Sequence, residues 1–262
     1  MMDVVILCGG KGTRLSEETI SKPKPMVEIG GKPILWHIMK SYSYYGFNRF
    51  ILTLGYKGDY IKNYFYNYRI TGSDFCLKLN PDNDIQYLNQ AAEKNWEILF
   101  VDTGQKTLKG GRIKKVEKYI KSDTFHLTYG DGVCDINMKK LVDFHNSHDC
   151  IGSITAVRPP SRFGELNINE QGLVTDLEEK PQMGKGLING GFFIFDKQIF
   201  SYLENDENCD FEFGPLQKIV SENNLKAYRH NGFWQCMDNI RERDYLDNQI
   251  STKNAPWMQW IK

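Results

Sequence analysis

An apolar run leads straight into a glycine-rich segment near the start of the chain: Val4-Val5-Ile6-Leu7-Cys8-Gly9-Gly10-Lys11-Gly12-Thr13-Arg14-Leu15. The run predicts a buried strand from Asp3 to Cys8. Glycines after a strand let backbone N–H groups approach phosphate oxygens closely, and Thr13 and Arg14 add side-chain donors. The segment therefore favours a phosphate-binding loop over a plain tight turn.

Two common phosphate loops do not fit this segment. The pattern G-x-x-x-x-G-K-[ST] is absent, because no glycine is placed for it. The dinucleotide fingerprint requires a third glycine at the position of Leu15. A phosphate-binding role for the loop therefore rests on neither of these two patterns.

A stiff basic segment, Lys22-Pro23-Lys24-Pro25-Met26, follows shortly after the loop. Each proline holds the residue before it in an extended conformation. Lys24 is therefore pinned, and it supplies a point charge at little cost in side-chain entropy. Close behind a glycine loop, this pattern favours a phosphate ligand over a solvated basic turn.

A carboxylate flanked by glycines, Gly130-Asp131-Gly132, follows a strand predicted to end at Tyr129. Mg²⁺ usually takes only one or two protein carboxylates, together with substrate phosphates and water. Asp238 offers a second carboxylate, although spacing alone leaves that pairing open. On the residues alone, an ordinary capping role for an aspartate in a turn stays open beside a magnesium site.

Two later segments carry groups suited to a phosphorylated sugar. Glu178-Glu179-Lys180-Pro181 again places a lysine before a proline, and Asn189-Gly190-Gly191 opens a strand with an amide side chain. On the residues alone, ordinary hairpin and strand-start roles stay equally open for both segments.

The order of predicted elements indicates an α/β fold: a Rossmann-like, mostly parallel mixed sheet flanked by helices, with a small β-hairpin. Further strands are predicted at 49–54, 98–101, 125–129, 151–157 and 189–195, and helices at 33–45, 59–68, 111–120, 138–148, 215–223 and 240–250. The hairpin is predicted over 163–179, with its turn at 169–172. We expect one domain over 1–262, with a nucleotide-binding half at about 1–135 and a sugar-binding half at about 136–262.

Composition excludes several classes of protein. The 33 Lys and Arg residues balance 33 Asp and Glu residues, which argues against a nucleic-acid-binding face. The chain has no apolar stretch long enough for a membrane span. Its six scattered cysteines fit reduced thiols in a cytoplasmic protein.

His145 and His148 are predicted to lie on a solvated helix face. The aromatic tail 255–260 is predicted to be anchored, and packing on a neighbouring subunit is left open.

These segments resemble the sugar-1-phosphate nucleotidyltransferases, whose bipartite signature G-G-x-G-T-R-L…K-P-K-P-M is present at 9–15 and 22–26. Within that family, the other shared blocks are similar to the glucose-1-phosphate cytidylyltransferases. These blocks are 36–40, 55–58, 101–104, 110–112, 128–132, 162–164, 189–193, 232–235 and 255–257. Cys8 departs from the usual alanine, and Asn239 from the threonine that often follows the metal aspartate.

The resemblance implies a reaction. CTP and α-D-glucose 1-phosphate would give CDP-glucose and pyrophosphate with Mg²⁺, as a step toward the sugars of the lipopolysaccharide O-antigen. It also implies a homo-oligomer, with a hexamer as the expectation.

The resemblance also implies roles for individual residues. The catalytic residues would be Arg14, Lys24 and Asp131, and the metal ligands Asp131 and Asp238. The nucleotide would contact Leu7, Cys8, Gly9, Gly10, Lys11, Gly12, Thr13, Arg14, Lys24, Thr103, Thr107, Arg112 and Gly130, with the stretch 103–112 closing over it. The sugar phosphate would contact Glu178, Lys180, Asn189 and Gly190.

Three alternatives stay open. The same fold could use UTP or dTTP. A glycosyltransferase that also joins such a sheet to a divalent metal usually carries D-x-D, which Asp131-Gly132-Val133 breaks. A non-catalytic sugar-nucleotide sensor should have lost one of the charged residues, all of which are present.

Overall fold

The structure is a computed structural model and describes residues 2–79, 84–89, 93, 95–159, 165–178 and 186–261. Its strands are β1 Asp3–Leu7, β2 Glu28–Ile29, β3 Lys32–Pro33, β4 Arg49–Leu54, β5 Phe75–Leu77, β6 Ile85–Tyr87, β7 Glu97–Asp102, β8 Thr124–Tyr129, β9 Gly132–Cys134, β10 Gly152–Val157, β11 Glu165–Ile168, β12 Val174–Glu178, β13 Ile188–Asp196, β14 Leu225–Arg229 and β15 Trp234–Cys236. Its α-helices are α1 Ser16–Thr19, α2 Ile34–Tyr44, α3 Gly58–Tyr66, α4 Tyr68–Thr71, α5 Lys109–Lys115, α6 Met138–His145, α7 Pro215–Ser221 and α8 Ile240–Ser251. Short 3-10 turns lie at Thr13–Leu15, Lys24–Met26, Glu117–Tyr119, Lys197–Ser201 and Gln259–Ile261.

Among the described residues, one seven-stranded sheet has the order β14-β10-β13-β8-β1-β4-β7. The pairs β8–β1, β1–β4, β4–β7 and β10–β14 are parallel, whereas β13 runs antiparallel to both of its neighbours. This arrangement confirms the predicted mostly parallel mixed sheet. Because β1, β4 and β8 are parallel neighbours, the loops after them meet at one edge of the sheet, which is where ligands bind in open α/β sheets.

β1 lies inside the sheet, between β8 and β4, and is buried on both faces. Val4 and Ile6 pack into one hydrophobic cluster, and Val5 and Leu7 into a second cluster on the opposite face. Alternate residues of a strand point to opposite faces, so this division follows from the strand period. A strand covered on both sides reads as a continuous apolar run, which is why the sequence identified it.

The helices lie near their predicted positions, but α6 ends at His145 and not at 148, and α5 is shorter than predicted. The sequence predicts a helix over 111–120, whereas α5 ends at Lys115 and a 3-10 turn follows. The N–H of Val116 bonds to the carbonyl of Ile113 and that of Tyr119 to the carbonyl of Val116, both three residues back. These bonds tighten the chain beyond α-helical geometry.

The second half contains the predicted hairpin as β11 paired with β12. The C-terminal tail is anchored on its own chain: Trp257 is fully buried and stacks on Phe233 at 5.3 Å between ring centroids. Trp260 packs edge-on against Trp36 of α2. No helix in the described ranges has the length and apolar character needed to cross a bilayer.

The prediction of a solvated face for His145 is wrong. Only 4% of His145 is exposed, because its side chain turns toward the sheet. Its Nδ1 atom lies 2.9 Å from Ser153 Oγ, and its Nε2 atom lies 3.2 Å from Asp196 Oδ1. His148 is partly buried and meets the same Ser153 hydroxyl at 2.9 Å. The two histidines therefore form a structural hydrogen-bond network under α6.

Candidate active site

Two adjoining cavities open at the carboxyl ends of β1 and β8. The larger has a volume of about 330 Å³ and is lined by Leu7, Gly9, Gly10, Gly12, Thr13, Arg14, Lys24, Pro25, Thr107, Leu108, Lys109, Arg112, Tyr129, Gly130 and Asp131. The smaller, of about 190 Å³, is lined by Arg14, Thr128, Tyr129, Asp131, Gly132, Asn189, Gly190, Phe192, Trp234, Cys236 and Asp238. Arg14, Tyr129 and Asp131 line both and mark the boundary. We call them the loop cavity and the side cavity.

The glycine loop is shaped by close contacts that only glycine permits. Gly12 has a φ of +62°, and a Cβ there would lie 2.9 Å from the Cβ of Lys24. A Cβ on Gly9 would lie only 2.1 Å from a guanidinium nitrogen of Arg112. The loop therefore lies directly against these two cationic residues, with the backbone at the cavity wall.

Arg112 supports the loop from beneath. It is 4% exposed, and one terminal nitrogen donates to the carbonyl of Leu54 at 2.9 Å and to Thr103 Oγ1 at 2.6 Å. The other terminal nitrogen donates to the carbonyl of Gly9 at 3.0 Å. Burial lowers the pKa of the Arg112 guanidinium. Most of its donors thus hold the backbone that surrounds the loop cavity.

Lys24 joins two carboxylates. Its ammonium donates to Asp131 Oδ2 at 2.5 Å and to Asp238 Oδ1 at 2.5 Å. The residue is 8% exposed. Burial by itself would lower the pKa of Lys24, but the two ion pairs outweigh it and raise that pKa. The extended Pro23 and the following 3-10 turn set the position of this side chain.

The same two carboxylates suit a metal ion. Asp131 and Asp238 direct one oxygen each at a single cationic atom, with the side chains 32% and 14% exposed. Two carboxylate oxygens beside a phosphate-sized cavity form the donor set that Mg²⁺ takes in proteins. A terminal guanidinium nitrogen of Arg14 lies 2.8 Å from the other carboxylate oxygen of Asp238, and the Arg14 side chain is 75% exposed.

Long-range pairing brings these carboxylates together. β9 pairs with β15 in antiparallel register, with Gly132 opposite Cys236. The N–H of Met237 then donates to the carbonyl of Asp131 at 2.9 Å. Asp131 and Asp238 therefore flank the end of this two-stranded ribbon.

The side cavity is closed by the start of β13. The Asn189 amide nitrogen donates to the Tyr129 hydroxyl at 3.1 Å, and Asn189 Oδ1 accepts the N–H of Gly191 at 2.9 Å. The indole of Trp234 donates to the carbonyl of Gly190 at 2.8 Å. Glu178 ends β12, and Lys180 lies outside the described residues.

Most predicted site residues with described side chains line the two cavities, and three do not. Cys8 is fully buried behind the loop, and burial raises the pKa of its thiol. Thr103 is 1% exposed and donates to the carbonyl of Leu54 at 2.6 Å. Lys11 is exposed on the loop. Thr103 and Cys8 thus lie behind the residues that form the cavity surface.

The sequence did not single out several lining residues, notably Tyr129, Lys109 and Trp234. Tyr129 ends β8 directly before Gly130, so its place at a strand's carboxyl end was an available signal. Lys109 pairs with Glu212, which is 103 positions away and gives no local pattern.

Comparisons with known proteins identify the family of the chain. Residues 3–241 match the nucleotidyl transferase family model. The glucose-1-phosphate cytidylyltransferase of Salmonella typhi is 46% identical over 260 residues, which cover 99% of this chain and 100% of that protein. A probable glucose-1-phosphate cytidylyltransferase of Bacillus subtilis is 42% identical, with the same coverage.

Solved structures share the fold. The crystal structure of HddC from Yersinia pseudotuberculosis has a TM-score of 0.67 at 28% identity and covers 95% of this chain and 100% of its own. The structure of the inositol-1-phosphate CTP transferase from T. maritima has a TM-score of 0.68 at 17% identity. The match covers 99% of this chain and 97% of that chain. At that identity the second likeness concerns the fold alone.

Proposed function

The chain belongs to the nucleotidyl transferase family, and from that premise we propose that it transfers the cytidylyl group of CTP to glucose 1-phosphate, giving CDP-glucose and pyrophosphate. The observation that carries this proposal is the 46% identity to the Salmonella typhi enzyme over 99% of this chain. That likeness spans both cavities, and their common boundary at Asp131 suits a reaction between two bound substrates.

The reaction joins one anion to another. A phosphate oxygen of glucose 1-phosphate attacks the α-phosphorus of CTP, and the bond from that phosphorus to the pyrophosphate oxygen breaks. Charge repulsion and misalignment are the main obstacles, so positioning and cationic groups supply the catalysis. No covalent enzyme intermediate is needed.

Lys24 and Arg14 supply the cationic groups in this proposal. Both line the loop cavity, and Arg14 also lines the side cavity. We assign Lys24 to the phosphates during attack and Arg14 to the triphosphate together with Thr13. The loop backbone at Gly9, Gly10 and Gly12 provides N–H donors, with Leu7, Gly130, Thr107 and Arg112 as the surrounding wall. Cys8 and Thr103 lie behind the cavity surface, and Lys11 is exposed on the loop.

We further propose that Asp131 and Asp238 hold Mg²⁺. The bound ion would neutralise phosphate charge and align the triphosphate. Support comes from the two carboxylate oxygens that converge on the Lys24 ammonium. A position where two carboxylates bind one cationic group is also suited to a metal cation.

The side cavity is our proposed sugar site. Asn189 and Gly190 line it, and Trp234 forms a flat apolar wall beside them. We assign Asn189 to a sugar hydroxyl. From the family resemblance we carry over Glu178 as a second ligand of the glucose hydroxyls and Lys180 as a ligand of the sugar phosphate.

We also propose a cytoplasmic homo-oligomer, with a hexamer as the expected state. The six cysteines are free, which suits a reducing compartment. Apolar side chains stand exposed around the β5–β6 hairpin, including Leu77 at 44% and Leu88 at 67%. Exposed apolar patches of this kind mark interfaces. Light scattering coupled to gel filtration measures the mass directly.

Pyrophosphate release measured with glucose 1-phosphate and CTP, UTP, dTTP or ATP tests the function. We expect a clear preference for CTP. A preference for UTP or dTTP overturns the nucleotide assignment while preserving the chemistry. Absence of turnover with every nucleotide and Mg²⁺ favours a non-catalytic sensor instead.

A further inference from the structure

Tyr129 forms the wall between the two cavities, and its hydroxyl is engaged on both sides. It donates to Glu212 Oε1 at 2.7 Å and accepts from the Asn189 amide at 3.1 Å. Gly191, with a φ of +79°, lies flat against the ring, where a Cβ would come within 2.3 Å of Tyr129 Cδ2. The ring is therefore held by the same β13 segment that carries Asn189.

The direction of these hydrogen bonds is fixed by chemistry. The Glu212 carboxylate, which also accepts from the Lys109 ammonium, offers only acceptors to the tyrosine. The Tyr129 proton must therefore point at Glu212, and the phenol oxygen is left to accept. Burial first, and then the charge of Glu212, raise the pKa of Tyr129, so the phenol keeps its proton.

The side-chain amide of Asn189 can then adopt only one orientation. Its nitrogen must face the Tyr129 oxygen, and its oxygen must face the N–H of Gly191, because that group only donates. One N–H and one oxygen lone pair of the amide are left over beside the side cavity, which Asn189 lines. A sugar hydroxyl both donates and accepts, so it matches this remaining pair.

We propose that Tyr129, oriented by Glu212, is a positioning residue that fixes the Asn189 amide for a sugar hydroxyl of the acceptor substrate. This inference rests on the proposed function, because it explains how a residue of the proposed sugar site is oriented. Lys109 balances the charge of Glu212 from the loop cavity, with its ammonium also 5.3 Å above the Tyr129 ring. The network thus links the walls of the two cavities.

Steady-state kinetics of Tyr129→Phe test the proposal. We expect the KM for glucose 1-phosphate to rise about tenfold, the effect of losing one oriented hydrogen bond, and the KM for CTP to change less than about twofold. Tyr202→Phe is the matched control, because it removes a surface hydrogen bond from a tyrosine to Glu222 and should change neither constant. Equal rises in both KM values for Tyr129→Phe would show a merely structural role and overturn the proposal.

A second comparison isolates Asn189. In an Asn189→Ala background, Tyr129→Phe should raise the KM for glucose 1-phosphate by less than about twofold further, because the group it positions is gone. Additive effects would contradict the inference. If Tyr129→Phe fails to fold by circular dichroism, Glu212→Gln tests the same point, since an amide at 212 frees the direction of the Tyr129 proton.

The two proposals fail in different ways. A wild-type protein without turnover of CTP and glucose 1-phosphate sinks the proposed function before any variant is compared. Wild-type turnover with an unchanged KM for glucose 1-phosphate in Tyr129→Phe sinks only the positioning role.

Discussion

The ammonium of Lys24 lies 2.5 Å from Oδ2 of Asp131, although 107 positions separate the two residues in the chain. The same nitrogen lies 2.5 Å from Oδ1 of Asp238. In the free protein the lysine therefore fills the position where two carboxylates converge on one cation. A metal ion and the Lys24 ammonium cannot both occupy that position, so binding of the proposed metal would require the ammonium to move.

Replacing Lys24 should expose the carboxylates to metal. We expect Lys24→Met to raise the affinity of the free protein for Mn²⁺ by about tenfold or more, because a competing charge at close range is removed. Its kcat/KM should nevertheless fall by on the order of 10²–10³, the scale of losing one preorganised electrostatic group. Electron paramagnetic resonance titration with Mn²⁺ measures the affinity without turnover.

The matched control is Lys22→Met, which removes the same charge from the same segment. Lys22 pairs with Glu18 at 3.4 Å rather than with the two aspartates, so its Mn²⁺ affinity should stay near that of the wild type. Equal gains in both variants would mean that net charge alone sets the affinity. Adding Asp131→Asn to Lys24→Met should abolish the gain.

Removing one carboxylate should weaken metal-dependent turnover. We expect Asp131→Asn to lower kcat/KM by on the order of 10²–10³ and to raise the Mg²⁺ concentration needed for half-maximal rate. Chelation by EDTA should stop the wild-type reaction, and added Mg²⁺ should restore it. Near-wild-type kinetics and metal dependence in Asp131→Asn would rule out the metal assignment.

Replacing Gly9 by a larger residue should lower the stability of the fold. Gly9→Ala places a methyl group 2.1 Å from a buried guanidinium nitrogen of Arg112, so the arginine or the loop must shift. We expect the free energy of unfolding to fall by about 1–3 kcal/mol, the usual cost of overpacking. Urea denaturation measures this loss.

Gly10→Ala provides the comparison, since a Cβ at that position has no neighbour within 4 Å. Its stability should remain close to that of the wild type. Comparable losses in the two variants would show that loop flexibility, and not contact with Arg112, determines the effect.

Acid should destabilise the fold through Asp3. This buried carboxylate accepts from Arg49 and from the backbone N–H groups of Lys121 and Ser122. Burial by itself would raise the pKa of Asp3, but these bonds together hold it below its ordinary value of 3.8. A lowered folded-state pKa stabilises the protein above the unfolded value, and that stabilisation is lost as pH falls through the folded-state pKa.

We therefore expect Asp3→Asn to lower the Tm near neutral pH and the difference from the wild type to shrink as the pH approaches and passes below 3.8. Asp59→Asn is the control, because that side chain is 92% exposed and pairs weakly with Lys62 at 3.5 Å. Thermal melts of the wild type and both variants from pH 7 downward measure these differences in Tm. A constant difference across that range would show that titration of Asp3 does not contribute.

Local patterns predicted every strand of the main sheet except β14, and they predicted the chemistry of single segments. The glycine loop and the pinned Lys24 were visible because each depends on a few neighbouring residues. The pairing of Asp131 with Asp238 was only a hypothesis, since it depends on β9 meeting β15 across about a hundred positions. The Tyr129–Glu212 hydrogen bond spans 83 positions and has no local signal either. The buried His145 escaped prediction because helical spacing does not reveal which face meets the sheet.

The ribbon of β9 and β15 has a consequence for how the protein is made. Asp131 is synthesised before β10, β13 and β14 of the main sheet, whereas Asp238 follows all of the strands of that sheet. A chain interrupted before residue 238 therefore carries the glycine loop and Lys24 but only one of the two carboxylates. Such an interrupted chain lacks one of the two ligands that we assign to the metal.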